Sequence, residues 1–458
     1  MPLNCFTLRR LLGLLVMLTP ASAFAHARLL RSDPASGSQV SSLAIVRLWF
    51  SERPNVTLTS VTLRGEDGAT FSVFPPEGAS GDPTEVSFRL SAALPPGHYA
   101  IAWRTVAMDG HPSQGRFSFT IVGQPVNATV KIGSTAVATS TPATTTTAVQ
   151  PVSETADNAA SVGNSLARAF SFGGILLVIG VVVFNLLVIT RCDRIGSDLV
   201  ASMEARAAVV GVAAGIVTMA AGFVRIFLES RMMHDMPDMG GMAMSVMMLH
   251  SLWGIGMQLQ IVAAFVAVIA FLISIRRVRF AWLIASVAAA ALAFAPALAG
   301  HAGASARFQG AMIFTDFLHV AGAASWLGNL TCVMLIGVPI ILAAGGDDRW
   351  PRISALVNTF SPIALASATL VVISGVLAAA IHLGSVSALW STNYGRVLVL
   401  KLAMVLVTLL IGAYNFRRVQ PHLTREHGAA QLRRSATFEL GAAAIVIVIT
   451  GFLTGVAP

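Results

Sequence analysis

A chain of 458 residues that is 55% hydrophobic and only 11% charged, with a mean hydropathy of +0.74, is too apolar for an ordinary soluble protein, where about 25% of residues are charged. Its net charge of +9 does not signal nucleic acid, because the basic residues fall mostly in short gaps between apolar runs, as in a multi-span membrane protein. The three cysteines, Cys5, Cys192 and Cys332, leave residues 26–160 without a disulfide.

The first 25 residues read as a secretory signal peptide. Arg9 and Arg10 precede the short apolar run Leu11–Leu18, and Ala23-Phe24-Ala25 supplies a small-residue cleavage site. Cleavage after Ala25 would make His26 the N-terminus. Residues 26–123 then alternate in short β-patterned runs: Ile45–Phe50, Ser60–Leu63, Glu85–Leu90, Tyr99–Trp103 and Arg116–Val122. Turn signals such as Asp33-Pro34, Gly81-Asp82-Pro83 and Pro95-Pro96-Gly97 separate them, so an exported antiparallel sandwich or barrel is expected.

One constellation in that domain carries chemistry. A free N-terminal His26 offers an amine and an imidazole, and Asp109-Gly110-His111 adds a carboxylate and a second imidazole. Such N/O ligands suit Cu(II), which tops the divalent first-row affinity order and accepts a square-planar site. Each part alone has a plainer reading, a turn or an accidental N-terminal histidine.

Residues 124–163 lack any period and are rich in Thr, Ala and Ser, which reads as a flexible tether. Residues 164–458 contain apolar runs near 166–190, 206–229, 249–274, 280–300, 312–343, 355–381, 396–416 and 436–456, enough for an all-α bundle of eight transmembrane helices in the lipid bilayer. Thirteen arginines, from Arg191 to Arg434, lie in the connections on one side and three, Arg231, Arg307 and Arg396, on the other. The arginine-poor side is therefore predicted to face outward with the β-domain.

Several candidate ligands fall at that outward side. The segment from Met232 to His250 holds His234, Met236, Met239 and His250 among many methionines. Thioether sulfur favours Cu(I), although methionine also serves as apolar filler. His301 ends the fourth run, Asp316 and His319 share one face of the fifth, and His382 ends the sixth. Ionisable groups at such depth are costly and commonly functional. Arg225, Glu229, Lys401 and Glu439 also interrupt apolar runs, with a structural ion pair as the ordinary role for each. Gly211 and Gly215 form a GxxxG that predicts close helix packing.

Two resemblances sharpen this. His26-Ala27-Arg28-Leu29, Ser32-Asp33-Pro34-Ala35, Leu48-Trp49-Phe50-Ser51-Glu52, Gly97-His98-Tyr99, Trp103-Arg104 and Met108-Asp109-Gly110-His111-Pro112 through Phe119 resemble the CopC family of periplasmic copper proteins. That resemblance implies a cupredoxin-like Greek-key β-sandwich and Cu(II) held by His26, Asp109 and His111. Phe71–Asp82 lacks the methionines that some members use for Cu(I). Gly300-His301-Ala302, Asp316-Phe317-Leu318-His319, Trp326-Leu327-Gly328, Ser374-Gly375-Val376, Tyr394-Gly395-Arg396-Val397-Leu398 with Lys401, and Asn415 resemble the CopD family of copper-resistance and copper-uptake membrane proteins.

Together the resemblances imply a copper-binding protein of the bacterial inner membrane, with its N-terminal domain in the periplasm. It would take copper, with periplasmic chaperones as possible donors, and move it inward without enzymatic activity or nucleic acid. No ATP-binding motif G-x-x-x-x-G-K-[ST] is present. Two further readings stay open: a membrane oxidoreductase using haem or copper, since paired histidines on membrane helices can ligate haem, and a copper sensor or store.

Overall fold

Strand β3 (Ile45–Phe50) shows how the first part of the chain folds: Val46, Leu48 and Phe50 are buried while Arg47 lies exposed between them. The computed structural model describes residues 29–51, 53–79, 81–106, 112–122, 157–234, 249–300, 309–383, 386–424 and 426–455. The expected signal peptide, and the tether up to residue 156, lie outside them.

Among the described residues, nine strands form two sheets. One has the order β1-β3-β7-β6, built from Leu29–Asp33, Ile45–Phe50, Glu85–Arg89 and Glu77–Gly78. The other has the order β2-β9-β8-β4-β5, from Gln39–Val40, Pro112–Ile121, Gly97–Val106, Ser60–Gly65 and Thr70–Phe71. Their inner faces share one core that includes Leu48, Phe50, Leu63, Phe88, Ile101, Trp103, Phe117 and Phe119. The expected sandwich is thus present, with one departure from all-antiparallel pairing: β2 runs parallel to β9. The chain leaves β1 in one sheet and reaches the other within a few residues, where the two-residue β2 joins the edge beside β9.

Local chemistry fixes the turns. The Asp82 carboxylate accepts hydrogen bonds from the Thr84 backbone N–H (2.9 Å) and hydroxyl (2.7 Å), which hold it below the usual carboxylate range. Arg31 stacks over Trp49, 3.8 Å from the ring centroid. Gly115 faces Trp103 across the β8–β9 pair, and a Cβ there would come within 2.7 Å of the indole. Gly115→Ala is therefore expected to cost the β-domain about 1–3 kcal/mol, read as a lowered denaturant midpoint of that domain.

Eight helices are long and apolar enough to cross a membrane among the described residues. They are labelled α1 (Val162–Arg191), α2 (Ser197–Arg231), α3 (Leu252–Ile275), α4 (Phe280–Leu298), α5 (Gln309–Ala344), α6 (Arg349–Ile381), α7 (Tyr394–His422) and α8 (Ala430–Leu453). Helical structure leading into α1 already begins at Asp157; residues 157–163, expected to belong to the tether, continue the first helix because nothing in Asn158–Gly163 breaks it. Helix α1 is central, packing on α2, α4, α5 and α8. The GxxxG of α2 does pack closely: a Cβ on Gly211 would meet the Phe271 ring at 2.6 Å, and one on Gly215 would meet Val268 at 2.6 Å.

The two parts touch. Leu58 and Val106 of the β-domain share a buried cluster with Trp253 and Met257 of α3 and with Ala299 at the end of α4, with Ile226 of α2 packed against it. The β-domain therefore sits at the end of the bundle where α3 begins and where α2 and α4 finish. Spans alternate in direction, so α5 and α7 also begin at this end.

Candidate functional site

The polar residues singled out in α5, α6 and α7 converge. Asp316 and His319 lie one turn apart on α5. Both begin roughly 10–15 Å along the helix from its start at the β-domain end, at about 1.5 Å per residue. His319 Nδ1 lies 3.0 Å from the Ser374 hydroxyl of α6. Gly375 makes room for the ring: a Cβ there would stand 3.2 Å from His319 Cε1. From α7, Lys401 is near enough for its charge to act on both Asp316 and His319, and Tyr394 is within electrostatic reach of Asp316.

Helix α6 orients the imidazole. The Ser374 hydroxyl donates its single proton back into its own helix, to the carbonyl of Leu370 at 2.7 Å, shared with that of Val371 at 3.2 Å. The ring is also hydrogen-bonded to the Val371 backbone, so two successive turns of α6 orient it. An oriented imidazole one helical turn from a carboxylate is a donor set for a borderline metal ion.

A second polar group lies deeper. Glu439 of α8 is 3% exposed. Its Oε1 accepts from Trp326 Nε1 (3.2 Å) and its Oε2 from Asn415 Nδ2 (2.8 Å). The ion pair expected for Glu439 is thus not what forms: both partners are neutral. They reach it because each sits in a π-turn, Ala324–Gly328 in α5 and Asn415–Val419 in α7. Such turns shift side chains off the α-helical register and often mark functional positions. Hydrophobic periodicity does not announce them. At the β-domain end, Glu229 accepts from Asn164 Nδ2 (2.8 Å), and its charge acts on buried Arg225.

The other predicted ligands are not brought together among the described residues. His26, Asp109, His111, Met236, Met239 and His301 lie outside them, and so do the side chains of His234 and His382, whose backbones end helices α2 and α6. His250 is exposed just before Ser251, which caps α3. His98 is exposed and hydrogen-bonded to Thr120 Oγ1 at 2.9 Å. Among the described residues no three His, Cys, Asp or Glu side chains form a metal cluster.

Comparison with known proteins places both halves. A family model described as the CopC domain matches residues 29–122, and one described as Copper resistance protein D matches residues 354–453. The Copper transport protein CutJ of Bacillus subtilis (strain 168) is 24% identical over 460 residues, covering 97% of this chain and 76% of the relative. Copper resistance protein C of Escherichia coli is 33% identical over 117 residues, 24% of this chain and 93% of the relative. The crystal structure of PcoC, a methionine-rich copper resistance protein from Escherichia coli, aligns at 28% identity over 21% of this chain and all of that one, with a TM-score of 0.20. The chain belongs to the CopC family through its β-domain, which it joins in one polypeptide to a multi-span membrane part that matches the Copper resistance protein D model over residues 354–453.

Proposed function

We propose that this protein captures Cu(II) in the periplasm and passes copper inward across the cell membrane. His26, Asp109 and His111 hold Cu(II), in line with membership of the CopC family. Periplasmic chaperones are candidate donors. Once an outside donor has reduced the ion to Cu(I), the methionines and histidines at the β-domain end, His234, Met236, Met239, His250, His301 and His382, receive it. Asp316 and His319 take it into the bundle. The relative CutJ, similar over nearly the whole length, is named a copper transport protein. The arginine excess on the side opposite the β-domain supports an outward-facing β-domain.

The observation that carries this reading is the oriented imidazole: Ser374 and Gly375 hold His319 one turn from Asp316, near the end where the β-domain packs. His319→Ala is expected to cut copper entry into cells by at least about 10-fold. Ser374→Ala loses the orienting partner and is expected to cost roughly 10-fold. Neither should change Cu(II) binding by the β-domain. His26→Ala should do the reverse and abolish tight Cu(II) binding, measured by competition titration. Unchanged Cu(II) affinity in that variant refutes the N-terminal ligand. Equal cytoplasmic copper in cells with and without the protein refutes transport. A Soret band that survives copper removal would favour the haem oxidoreductase instead.

A further inference from the structure

Glu439 is a carboxyl group deep in α8 whose neighbours are all uncharged. Trp326 faces it from α5, and Asn415 and Gly412 face it from α7; a Cβ on Gly412 would stand 3.2 Å from its Oε1. Charged groups on the surrounding helices are placed elsewhere. Lys401 of α7 belongs with Asp316 and His319, about 20 Å of helix away from Asn415. Arg417 and Arg418 of α7 and Arg433 and Arg434 of α8 are exposed. Arg168 of α1 packs against Gly455, at the other end of α8. On α6, Arg352 pairs with Asp348 at 3.8 Å.

An ionised carboxylate in such surroundings, held by two neutral donors alone, is costly, whereas a neutral acid there needs an acceptor for its proton. Trp326 cannot be that acceptor, because an indole N–H only donates. Asn415 can. Its Oδ1 is buried and has no hydrogen-bond partner among the described residues. Rotating the amide by half a turn exchanges Nδ2 for Oδ1 opposite Glu439. The ionised form is then served by two donors, and the neutral form by one donor and one acceptor. Few buried carboxyl groups have partners for both charge states.

We propose that Glu439 is a proton-binding site within the membrane interior, read by the Asn415 amide, and that its proton leaves as Cu(I) passes. This rests on the transport reading above. Loss of H⁺ from the carboxyl group as Cu⁺ arrives keeps the charge of the apolar interior constant, and no electron moves. The proton departs to water on the side away from the incoming ion.

The test uses the full-length protein in lipid vesicles and pH-difference infrared spectroscopy of the carboxylic C=O stretch. Between about pH 5 and about pH 9 the wild type should show a titrating carboxylic band that is missing in Glu439→Gln. Adding Cu(I) at fixed pH should diminish the same band. Glu439→Asp keeps a carboxyl group and should move the band instead of removing it, which serves if the glutamine variant does not fold. A titrating spectrum identical in wild type and both variants, or a band indifferent to Cu(I), overturns the proposal. If the band responds to Cu(I) but vesicles accumulate no copper, the proton site stands and the transport reading falls.

Discussion

Replacing Gly328 with alanine is expected to unfold the membrane domain at markedly lower temperature than the wild type. Gly328 follows Trp326 by two residues and lies where α5 crosses α1. A Cβ at this position would land on the carbonyl oxygen of Leu176, with the Gly180 α-carbon at 3.1 Å. In the reverse direction, a Cβ on Gly180 would meet the backbone of Gly328. Overpacking ordinarily costs about 1–3 kcal/mol because side chains move aside. Here backbone meets backbone and nothing flexible can yield, so the cost should reach or exceed about 3 kcal/mol. Forcing α1 from α5 also pulls Trp326 off Glu439, and tryptophan emission should change with it. Gly173→Ala on the same α1, where an added Cβ meets nothing within 4 Å, should leave the melting temperature unchanged. Equal melting temperatures for Gly328→Ala and wild type would show that the two helices do not cross this closely.

That crossing explains a motif whose residues could be quoted but not interpreted from sequence. Trp326-Leu327-Gly328 is conspicuous as a string of letters. Only the fold shows that the indole serves Glu439 of α8 while the glycine admits α1. The same holds for Ser374-Gly375: one residue orients His319 and the other leaves it space, and neither role exists until α5 and α6 pack. Strand β3 was readable to the residue, because strict alternation of buried and exposed positions is local. Strand β8 was readable only in its middle. Thr105 and Val106 at its end are both buried, which breaks a two-residue period. Val106 is covered by the membrane helices and not by its own sandwich. The eight spans followed from composition, yet the π-turns within α1, α5 and α7 did not. A π-turn is one extra residue in a helical turn, and its apolar composition looks like the helix around it. The assignment of an ion pair to Glu439 failed for a related reason: burial of a charge is visible in a hydropathy profile, but the identity of its partner, here Asn415 on another helix, is not.

Leu58→Asp is expected to release the β-domain from the bundle without unfolding it. Leu58 is 1% exposed although it lies outside the core of the sandwich; its cover is Trp253, Met257 and Ala299. The turn that carries it is held independently of that contact. Asn55 caps it by accepting from the Thr57 backbone and hydroxyl, at 3.2 and 2.7 Å. The Asn55 N–H donates to the Val106 carbonyl at 2.7 Å, and the hydroxyls of Thr59 and Thr105 bond at 2.7 Å. Burial of a leucine contributes about 2–3 kcal/mol to docking. A carboxylate in its place would sit unpaired against Trp253 and Met257, at a cost of several kcal/mol. Water offers an easy alternative: the aspartate is solvated as soon as the surfaces part. Hydrogen exchange should therefore rise at the start of α3 and around residues 56–59, while amides of β3, β8 and β9 stay protected. Leu58→Ala, which removes burial without adding charge, should show a smaller rise. Under the proposed function, Cu(II) affinity of the β-domain should hold within about two-fold, because its fold is intact. Under the same proposal copper entry should fall but not vanish, since the covalent connection still keeps the β-domain at the membrane. If exchange at the start of α3 is the same in Leu58→Asp and wild type, the two domains are not in contact through Leu58, and copper must cross open solvent between them.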